Sequence, residues 1–207
     1  MVKSKSLVNG IGNLNTTIKY YDDWSNSYDI TLKKWKYTVP KKSINLIKKK
    51  IIYKPKNILD LACGTGLFGE ELKKIYNTSE IYGSDISHKS LNIARKKNIY
   101  KNLTKINFET KKKYPIKFDL VTMIGAMTYC KNFEKVFSNI KYYLLKKGYF
   151  IFSHRTDLWE KQGFSKILEK LEDNFKIFHV SKPCNYLPLH KDFKNKIKIR
   201  LVILQKL

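Results

Sequence analysis

Apolar residues along this chain form two kinds of pattern that alternate with each other. Short continuous apolar runs predict strands that are buried on both faces of a sheet. Longer segments, with apolar residues three and four positions apart and lysines on the opposite side, predict amphipathic helices. The predicted strands cover residues 58–61, 81–85, 105–108, 118–125, 149–153, 175–180 and 197–204. The predicted helices cover residues 16–30, 43–52, 67–76, 133–145 and 164–171, with one more around Leu91, Ala94 and Ile99.

The order of these elements predicts an α/β fold. Because helices separate most of the strands, we expect a largely parallel sheet with helices on both faces. The last two strands have no helix between them, so we expect them to pair as an antiparallel hairpin with a long loop. Lys147 and Gly148 are expected to end the helix that precedes residue 149. A length of 207 residues is most simply one domain with a real core.

A glycine turn follows the first predicted strand. Gly64 and Gly66 permit φ > 0 and let a ligand approach the backbone closely. The helix that begins at Leu67 adds free N–H groups and a partial positive charge at the same point. The pattern Gly64-x-Gly66-x-x-Gly69 is a nucleotide-binding fingerprint, and Asp85 follows about twenty residues later, at the end of the second strand.

Two classes of ligand fit this turn, a nicotinamide or flavin dinucleotide and S-adenosylmethionine. Asp85 serves either class, because a carboxylate at a strand end can accept hydrogen bonds from both ribose hydroxyls. Asp60 favours S-adenosylmethionine, since a carboxylate four residues before the first glycine would attract an ammonium group and would give a pyrophosphate nothing. More than fifty residues precede the strand and about 140 follow it, which leaves little room for a separate substrate domain.

The segment Asp60-Leu-Ala-Cys-Gly-Thr-Gly66 resembles motif I of the S-adenosylmethionine-dependent methyltransferases with a Rossmann-like fold. The segment Tyr21-Asp-Asp-Trp-Ser-x-x-Tyr-Asp29, followed by Tyr37-Thr-Val-Pro40, resembles the opening of the small proteins related to the Williams–Beuren syndrome region methyltransferase. The resemblance extends almost to the C-terminus. It implies a single domain over residues 1–207, with an N-terminal helical lid (1–52) and a Rossmann-like, seven-stranded core (53–207).

The resemblance also implies which residues bind the cofactor. Asp60 and the turn after it hold the methionine part, and Asp85 holds the ribose. Asn107 stands where relatives usually have the Asp that binds the adenine amino group, or Glu109 does if the register differs. Two aromatic residues of the lid close over the methionine, although such a stripe is also typical of core packing. The expected cofactor-binding residues are Trp24, Tyr28, Asp60, Ala62, Cys63, Gly64, Thr65, Gly66, Leu67, Asp85, Ile86, Ser87, Asn107, Ile124 and Gly125.

Three polar residues are candidates for the chemistry. Methyl transfer from a sulfonium needs mainly orientation and exclusion of water, and it needs a base only if the acceptor carries a proton. Tyr129 follows the fourth predicted strand, and His154 and Arg155 end the fifth. His154 could act as a general base, and Arg155 could hold a substrate carboxylate. A structural, hydrogen-bonded histidine and a surface salt bridge are the alternatives for this pair.

The net charge of +25 invites a nucleic-acid interpretation, but the basic residues are scattered lysines. Arginine, which makes bidentate contacts to bases and phosphates, occurs only at positions 95, 155 and 200. We therefore favour codon bias as the origin of the charge. No apolar run is long enough for a membrane span, and the N-terminus lacks a signal core, so a cytoplasmic protein is expected. The three widely spaced cysteines indicate neither a zinc site nor a disulfide framework.

The absence of certain motifs narrows the range of methyl acceptors that we expect. The fourth strand ends in Ile-Gly-Ala-Met (124–127) and not in the Asp/Asn-Pro-Pro-Tyr that grips a flipped base in amino-methylating DNA enzymes. No acidic cluster suggests a magnesium site. We expect a methyltransferase that uses S-adenosylmethionine, yields S-adenosylhomocysteine and acts on a small molecule. An RNA or protein methyltransferase and a non-catalytic S-adenosylmethionine-binding protein are the alternatives, and the sequence carries no signal for the oligomeric state.

Overall fold

A computed structural model describes residues 11–193 and 196–207. Within these ranges the chain forms a single sheet flanked by helices. The strands are β1 (Asn57–Leu61), β2 (Glu80–Asp85), β3 (Asn102–Lys105), β4 (Phe118–Met123), β5 (Leu144–Arg155), β6 (Phe175–Val180), β7 (Cys184–Asn185) and β8 (Lys198–Lys206). The helices are α1 (Leu14–Lys34), α2 (Val39–Lys50), α3 (Leu67–Ile75), α4 (His88–Lys96), α5 (Phe133–Tyr143), α6 (Thr156–Lys161) and α7 (Phe164–Glu169).

The strands are ordered β3-β2-β1-β4-β5-β8-β6, and the short β7 pairs with β8. The first five strands of this path are mutually parallel. β8 runs antiparallel to both β5 and β6, so the expected hairpin at the end of the chain is confirmed. The predicted α/β class, with a Rossmann-like sheet of seven main strands, is likewise confirmed. The order reverses between β1 and β4, which opens a crevice at the carboxyl ends of these two strands.

The third strand was predicted in the wrong register. It covers Asn102–Lys105 and pairs with Tyr82 to Asp85 of β2, whereas we expected residues 105–108. β3 lies at the sheet edge and none of its residues is fully buried, so it lacks the apolar run that marks the other strands. Asn107 and its neighbours therefore lie in the loop that follows β3.

The prediction that Lys147 and Gly148 end a helix was also wrong. α5 ends at Tyr143, and the chain enters β5 directly at Leu144. Lys147 has φ +63°, and the pairing of β5 with β4 shifts register in this stretch. A Lys-Gly pair occurs at helix C-termini and also at irregularities in strands. The sequence therefore could not distinguish the two structures at this position.

Helices cover both faces of the sheet. On one face α5 and α7 pack against aromatic residues of β5, among them Phe150 and Phe152. On the other face α2 and α3 pack against Ile58, Leu120 and Ile151. α1 lies against α4, next to the carboxyl ends of the central strands. No helix within the described residues is long and apolar enough to cross a membrane.

Candidate functional site

A cleft opens at the carboxyl ends of β1, β2 and β4, beneath α1. Its walls come from the glycine turn after β1, the segment after β2, the loop after β3 and the loop after β4. The main cavity is lined by Thr17, Tyr21, Tyr28, Ala62, Gly64, Thr65, Asp85, Ile86, Ser90, Ile106, Phe108, Ile124, Gly125, Ala126 and Tyr129. An adjoining cavity continues along the turn to Asp60, Cys63 and Leu67. The structure thus brings most of the expected cofactor-binding residues together.

The glycine turn has the backbone that its sequence predicts. Gly64 and Gly66 have φ of +54° and +87°, and Gly66 precedes the first turn of α3. Ala62 also has a positive φ, +54°, which is costly for a residue with a Cβ. The N–H of Cys63 donates to the carbonyl of Ser84, 2.9 Å away, and so ties the turn to β2. A Cβ placed on Gly64 would meet no atom within 4 Å, so this face of the turn is open to a ligand.

Asp85 connects the turn to the end of β2. Its carboxylate accepts one hydrogen bond from the N–H of Gly64 and another from the N–H of Ser87, each 2.8 Å long. Burial raises the pKa of Asp85, and the two backbone N–H groups oppose that shift. Each oxygen keeps a second lone pair, so this carboxylate can still accept from hydroxyl groups in the cavity.

Asp60 lies at the other end of the cleft and is 1% exposed. It accepts hydrogen bonds from the hydroxyls of Thr122 and Tyr100, each 2.8 Å long. Burial raises the pKa of Asp60 to about 7, although both hydrogen bonds act in the opposite direction. A cation in the cleft would hold this carboxylate in its charged form.

Tyr100 reaches Asp60 through space that two glycines provide. A Cβ on Gly69 would lie 2.2 Å from the Tyr100 hydroxyl oxygen, and a Cβ on Gly83 would lie 2.9 Å from its ring. The third glycine of the fingerprint therefore accommodates a buried phenol that orients Asp60. Sequence reasoning missed this residue, because Tyr100 is distant in the chain and carries no motif.

The far wall of the cleft is apolar and suits a flat ring. Ile86, Ile106 and Phe108 line the cavity there. Asn107 lies in an adjacent cavity, where its side-chain oxygen accepts from the N–H of Glu109, 3.0 Å away. Ser87, an expected cofactor-binding residue, is fully buried and caps α4, and Ser90 lines the main cavity in its place.

Two aspartates hold α1 over the cleft. Asp29 accepts from the hydroxyl of Thr65 at 2.5 Å and from Nζ of Lys97 at 2.8 Å. Asp22 accepts from the Ser87 hydroxyl at 2.5 Å. The two aspartates are seven residues apart, which places them on the same face of the helix. That spacing could have indicated from the sequence that both aspartates face the cleft. From the sequence we considered only the aromatic residues of this helix.

The aromatic residues of α1 divide into two groups. Tyr21 and Tyr28 line the cavity, whereas Trp24 is 1% exposed and packs behind them in an aromatic cluster with Leu32, Leu187 and Phe193. Trp24 therefore supports the lid from behind, which differs from the expectation that it closes over the cofactor. A neighbouring tyrosine that we did not predict, Tyr21, lies at the cavity.

Tyr129 lies at the cavity, as expected. Its hydroxyl is hydrogen-bonded to that of Tyr21 at 2.5 Å. Burial raises the pKa of Tyr129 well above its usual value, so the phenol is protonated at neutral pH. Tyr129 is therefore a hydrogen-bonding group at the carboxyl end of β4.

His154 and Arg155 are not brought to the main cavity. His154 is 1% exposed, contacts the rings of Phe164 and Trp159, and shares a 2.9 Å hydrogen bond from Nε2 to the side-chain oxygen of Gln162. Burial lowers its pKa to about 4, which opposes the expected role of a base that titrates near neutral pH. The end of β5 does reach the crevice edge, but the His154 side chain points to α6 and α7.

Arg155 is buried and engaged by this chain's own residues. It makes two hydrogen bonds to Asp157, of 3.0 and 2.6 Å, and its guanidinium lies 4.6 Å from the centre of the Phe193 ring. Arg155 is thus held by Asp157 and does not line the main cavity.

Residues 52–198 match the model of a family described as the methyltransferase domain. The chain belongs to this methyltransferase family. The malonyl-[acyl-carrier protein] O-methyltransferase of Legionella pneumophila is 30% identical over 102 residues, which is 48% of this chain and 36% of that protein. Human methyltransferase-like protein 27 is 28% identical over 123 residues, which is 58% of this chain and 50% of that protein. The matches thus span half or less of these relatives.

Solved structures share the fold of this methyltransferase-family chain. The plantazolicin methyltransferase BpumL, solved with S-adenosylhomocysteine and a triazolic desmethylPZN analog, superposes with a TM-score of 0.62 at 13% identity and covers 94% of this chain and 92% of its own. The [4+2]-cyclase SpnF superposes with a TM-score of 0.65 at 13% identity and covers 81% of this chain and 80% of its own. At these identities the likeness concerns the fold alone.

The cleft fits the cofactor of the methyltransferase family, S-adenosylmethionine. Asp85 offers a carboxylate for ribose hydroxyls, Ile86 and Phe108 offer an apolar slot for a base, and Asp60 offers a carboxylate for an ammonium group. The open face of Gly64 lies between these groups. A dinucleotide would leave the buried Asp60 without a cation.

Proposed function

We propose that this chain is an S-adenosylmethionine-dependent methyltransferase that acts on a small-molecule acceptor. One observation carries the proposal: Asp60 and Asp85 lie at two ends of a cleft whose floor is the glycine turn between them. The family match supports the reaction class. The residues of the opening segment also support a place in the Williams–Beuren-related subgroup, with residues 1–52 as a lid on a single domain.

Asp60 and the turn from Ala62 to Leu67 hold the methionine part of the cofactor. Asp85 holds the ribose, and Ile86 and Phe108 enclose the adenine together with the loop at Asn107. S-Adenosylmethionine supplies a methyl group on a sulfonium, whose sulfur leaves as a neutral thioether. Because that leaving group needs no acid, the protein contributes mainly orientation and a dry site.

The lid helix α1 excludes water from the cofactor cleft. Asp29 and Asp22 connect α1 to Thr65 and Ser87, two positions next to the cofactor cleft. Tyr21 and Tyr28 extend this cover over the cavity. Tyr129, hydrogen-bonded to Tyr21, lies where the acceptor would meet the methyl group, and we propose that its hydroxyl orients the acceptor. His154 and Arg155 serve the structure behind this surface.

The small-molecule assignment rests on α1, whose Tyr21 and Tyr28 cover part of the cleft and narrow its opening. The Legionella pneumophila relative is named for malonyl-[acyl-carrier protein] and BpumL for plantazolicin, and these two compounds guide the choice of acceptors to test. Methylation of RNA or of a protein on the same fold is the alternative.

The test is methyl transfer from S-adenosylmethionine labelled in its methyl group to separated small-molecule, RNA and protein fractions of a cell extract. We expect label in the small-molecule fraction with the wild type and none with Asp85→Ala. Asp173→Ala, at an exposed position away from the cleft, is the matched control. Label found only in RNA or only in protein would contradict the small-molecule proposal and would identify that fraction as the acceptor. Cofactor binding without label in any fraction would indicate a non-catalytic binding protein.

A further inference from the structure

A second cavity of about 250 Å³ lies beside the cofactor cleft. It lies between α6, the loop after β4 and the residues that precede α1. Thr17 and Tyr129 line both this cavity and the cofactor cavity, so the two share a wall. On the proposed function, the acceptor must approach the methyl group from outside the cofactor cleft. Two cavities share Tyr129 with that cleft, this one and the smaller one at Asn107, and this one offers more room.

The polar groups of this second cavity are cationic or neutral. Lys131 and Lys161 line it, and no acidic residue of the described part of the chain does. Within the described residues, neither lysine takes part in an ion pair. Glu109, in the adjoining cavity, has an oxygen engaged by the backbone N–H groups of Lys131 and Asn132, at 2.6 and 3.2 Å. Both lysines are exposed, and neither side-chain ammonium group is bonded to Glu109, so each can still pair with a ligand.

A residue with an unused hydrogen-bond donor lines the same space. Gln162 lines the cavity, and its side-chain oxygen pairs with Nε2 of His154. Nδ1 of His154 has no hydrogen-bond partner among the described residues, so Nε2 carries the proton and donates to that oxygen. The amide nitrogen of Gln162 is then left as a donor. Donors and cations together match a ligand that bears acceptor oxygens and negative charge.

We propose that this cavity binds the methyl acceptor, and that the acceptor carries a carboxylate or phosphate held by Lys131 and Lys161. This inference rests on the proposed function and specifies its substrate class. It also gives His154 a positioning role, since the imidazole fixes the orientation of Gln162. Arg155, the residue for which the sequence suggested carboxylate binding, is replaced in that role by the two lysines.

The test uses three probes of similar size that differ in charge, namely benzoate, phenyl phosphate and neutral benzamide. Each is titrated calorimetrically into the full chain with and without S-adenosylhomocysteine. We expect at least one anion to bind about tenfold more tightly than benzamide, as one charge-assisted contact allows. The double variant Lys131→Gln/Lys161→Gln should remove the difference. The preferred anion distinguishes a carboxylate from a phosphate acceptor.

The matched control is Lys135→Gln/Lys166→Gln, which removes two exposed lysines of α5 and α7 that do not line the cavity. This variant should keep the preference for anions. Equal affinity for benzoate, phenyl phosphate and benzamide, no binding of any probe, or equal losses in both double variants would overturn the inference. Binding of S-adenosylhomocysteine is measured first in the same samples, so failure of the proposed function is seen separately.

Discussion

The hydroxyl of Tyr100 donates to Oδ2 of Asp60 across 2.8 Å, through the space that Gly69 and Gly83 leave open. This contact joins the loop before β3 to the carboxylate that we assign to the cofactor's ammonium group. Four residues that are separate in sequence thus form one unit beneath the glycine turn. The fingerprint glycine at position 69 therefore makes room for the residue that orients Asp60.

Tyr100→Phe should weaken the binding of S-adenosylhomocysteine about three- to tenfold at neutral pH, because one hydrogen bond to a buried carboxylate is lost. The loss also raises the pKa of Asp60 further, which reduces the charged fraction. Calorimetry measures the change. Tyr82→Phe, which removes a hydroxyl bonded to Glu80 at 3.3 Å, is the control and should bind as the wild type does. Unchanged affinity in Tyr100→Phe would show that the contact does not orient Asp60.

Gly69→Ala should destabilise the protein by roughly 1–3 kcal/mol, because the new Cβ would lie 2.2 Å from the Tyr100 hydroxyl oxygen. Urea unfolding measures this change. In a Tyr100→Ala background the same substitution should be neutral or stabilising, since Ala is a better helix former than Gly by about 1 kcal/mol. Equal destabilisation in both backgrounds would mean that Gly69 is required for another reason.

Cofactor binding should strengthen as the pH rises towards 7. The pKa of Asp60 in the free protein is about 7, raised by burial, and only the charged carboxylate attracts an ammonium group. Binding should therefore release a proton near neutral pH, which calorimetry in buffers of different ionisation enthalpy detects. Asp60→Asn should bind more weakly and lose the dependence. A flat profile in the wild type would contradict the assigned role.

The raised pKa of Asp60 also predicts how the free energy of unfolding of the cofactor-free protein changes with pH. Asp60 binds its proton more tightly in the folded protein than in the unfolded chain. Its contribution to the stability of the folded protein is therefore fully present below the pKa of the unfolded chain. It is lost as the pH rises through about 7. Urea unfolding of the wild type and of Asp60→Asn, compared below and above pH 7, should show a steeper decline in the wild type, since Asp85, whose pKa burial also raises, contributes to both.

Asp29→Asn should loosen the lid. The substitution weakens the contacts to Thr65 and Lys97, of which the ion pair is partly exposed, so we expect a few-fold faster release of S-adenosylhomocysteine. Limited proteolysis within α1 should accelerate in parallel. Asp23→Asn, at an exposed position of the same helix, is the control. If both variants behave like the wild type, α1 is held over the cleft by its aromatic contacts.

The parts of the site that follow from local sequence were predictable. The glycine turn, Asp60 and Asp85 lie within about 25 residues of one another, and their roles follow from strand–turn–helix geometry. The buried strands were predictable for the same reason, since apolar runs mark them. β3 was misplaced because it is short, lies at the edge and carries no such run.

The rest depends on contacts between distant segments. The rule that strand ends face the crevice placed His154 and Arg155 at the correct edge of the sheet. It could not give the direction of each side chain, and the aromatic packing of Phe164 and Phe193 decided that direction. The partners of Asp60, and the residues to which Asp22 and Asp29 of α1 are bonded, are likewise visible only in three dimensions.

The central claim is that this cleft binds an adenosyl cofactor through Asp85. The most direct measurement is calorimetric titration of the purified chain with S-adenosylhomocysteine and, separately, with NAD. The account predicts binding of S-adenosylhomocysteine by the wild type and by Asp173→Ala, at least about tenfold weaker binding by Asp85→Ala, and no binding of NAD. Binding of NAD in place of S-adenosylhomocysteine, or full affinity in Asp85→Ala, would contradict it.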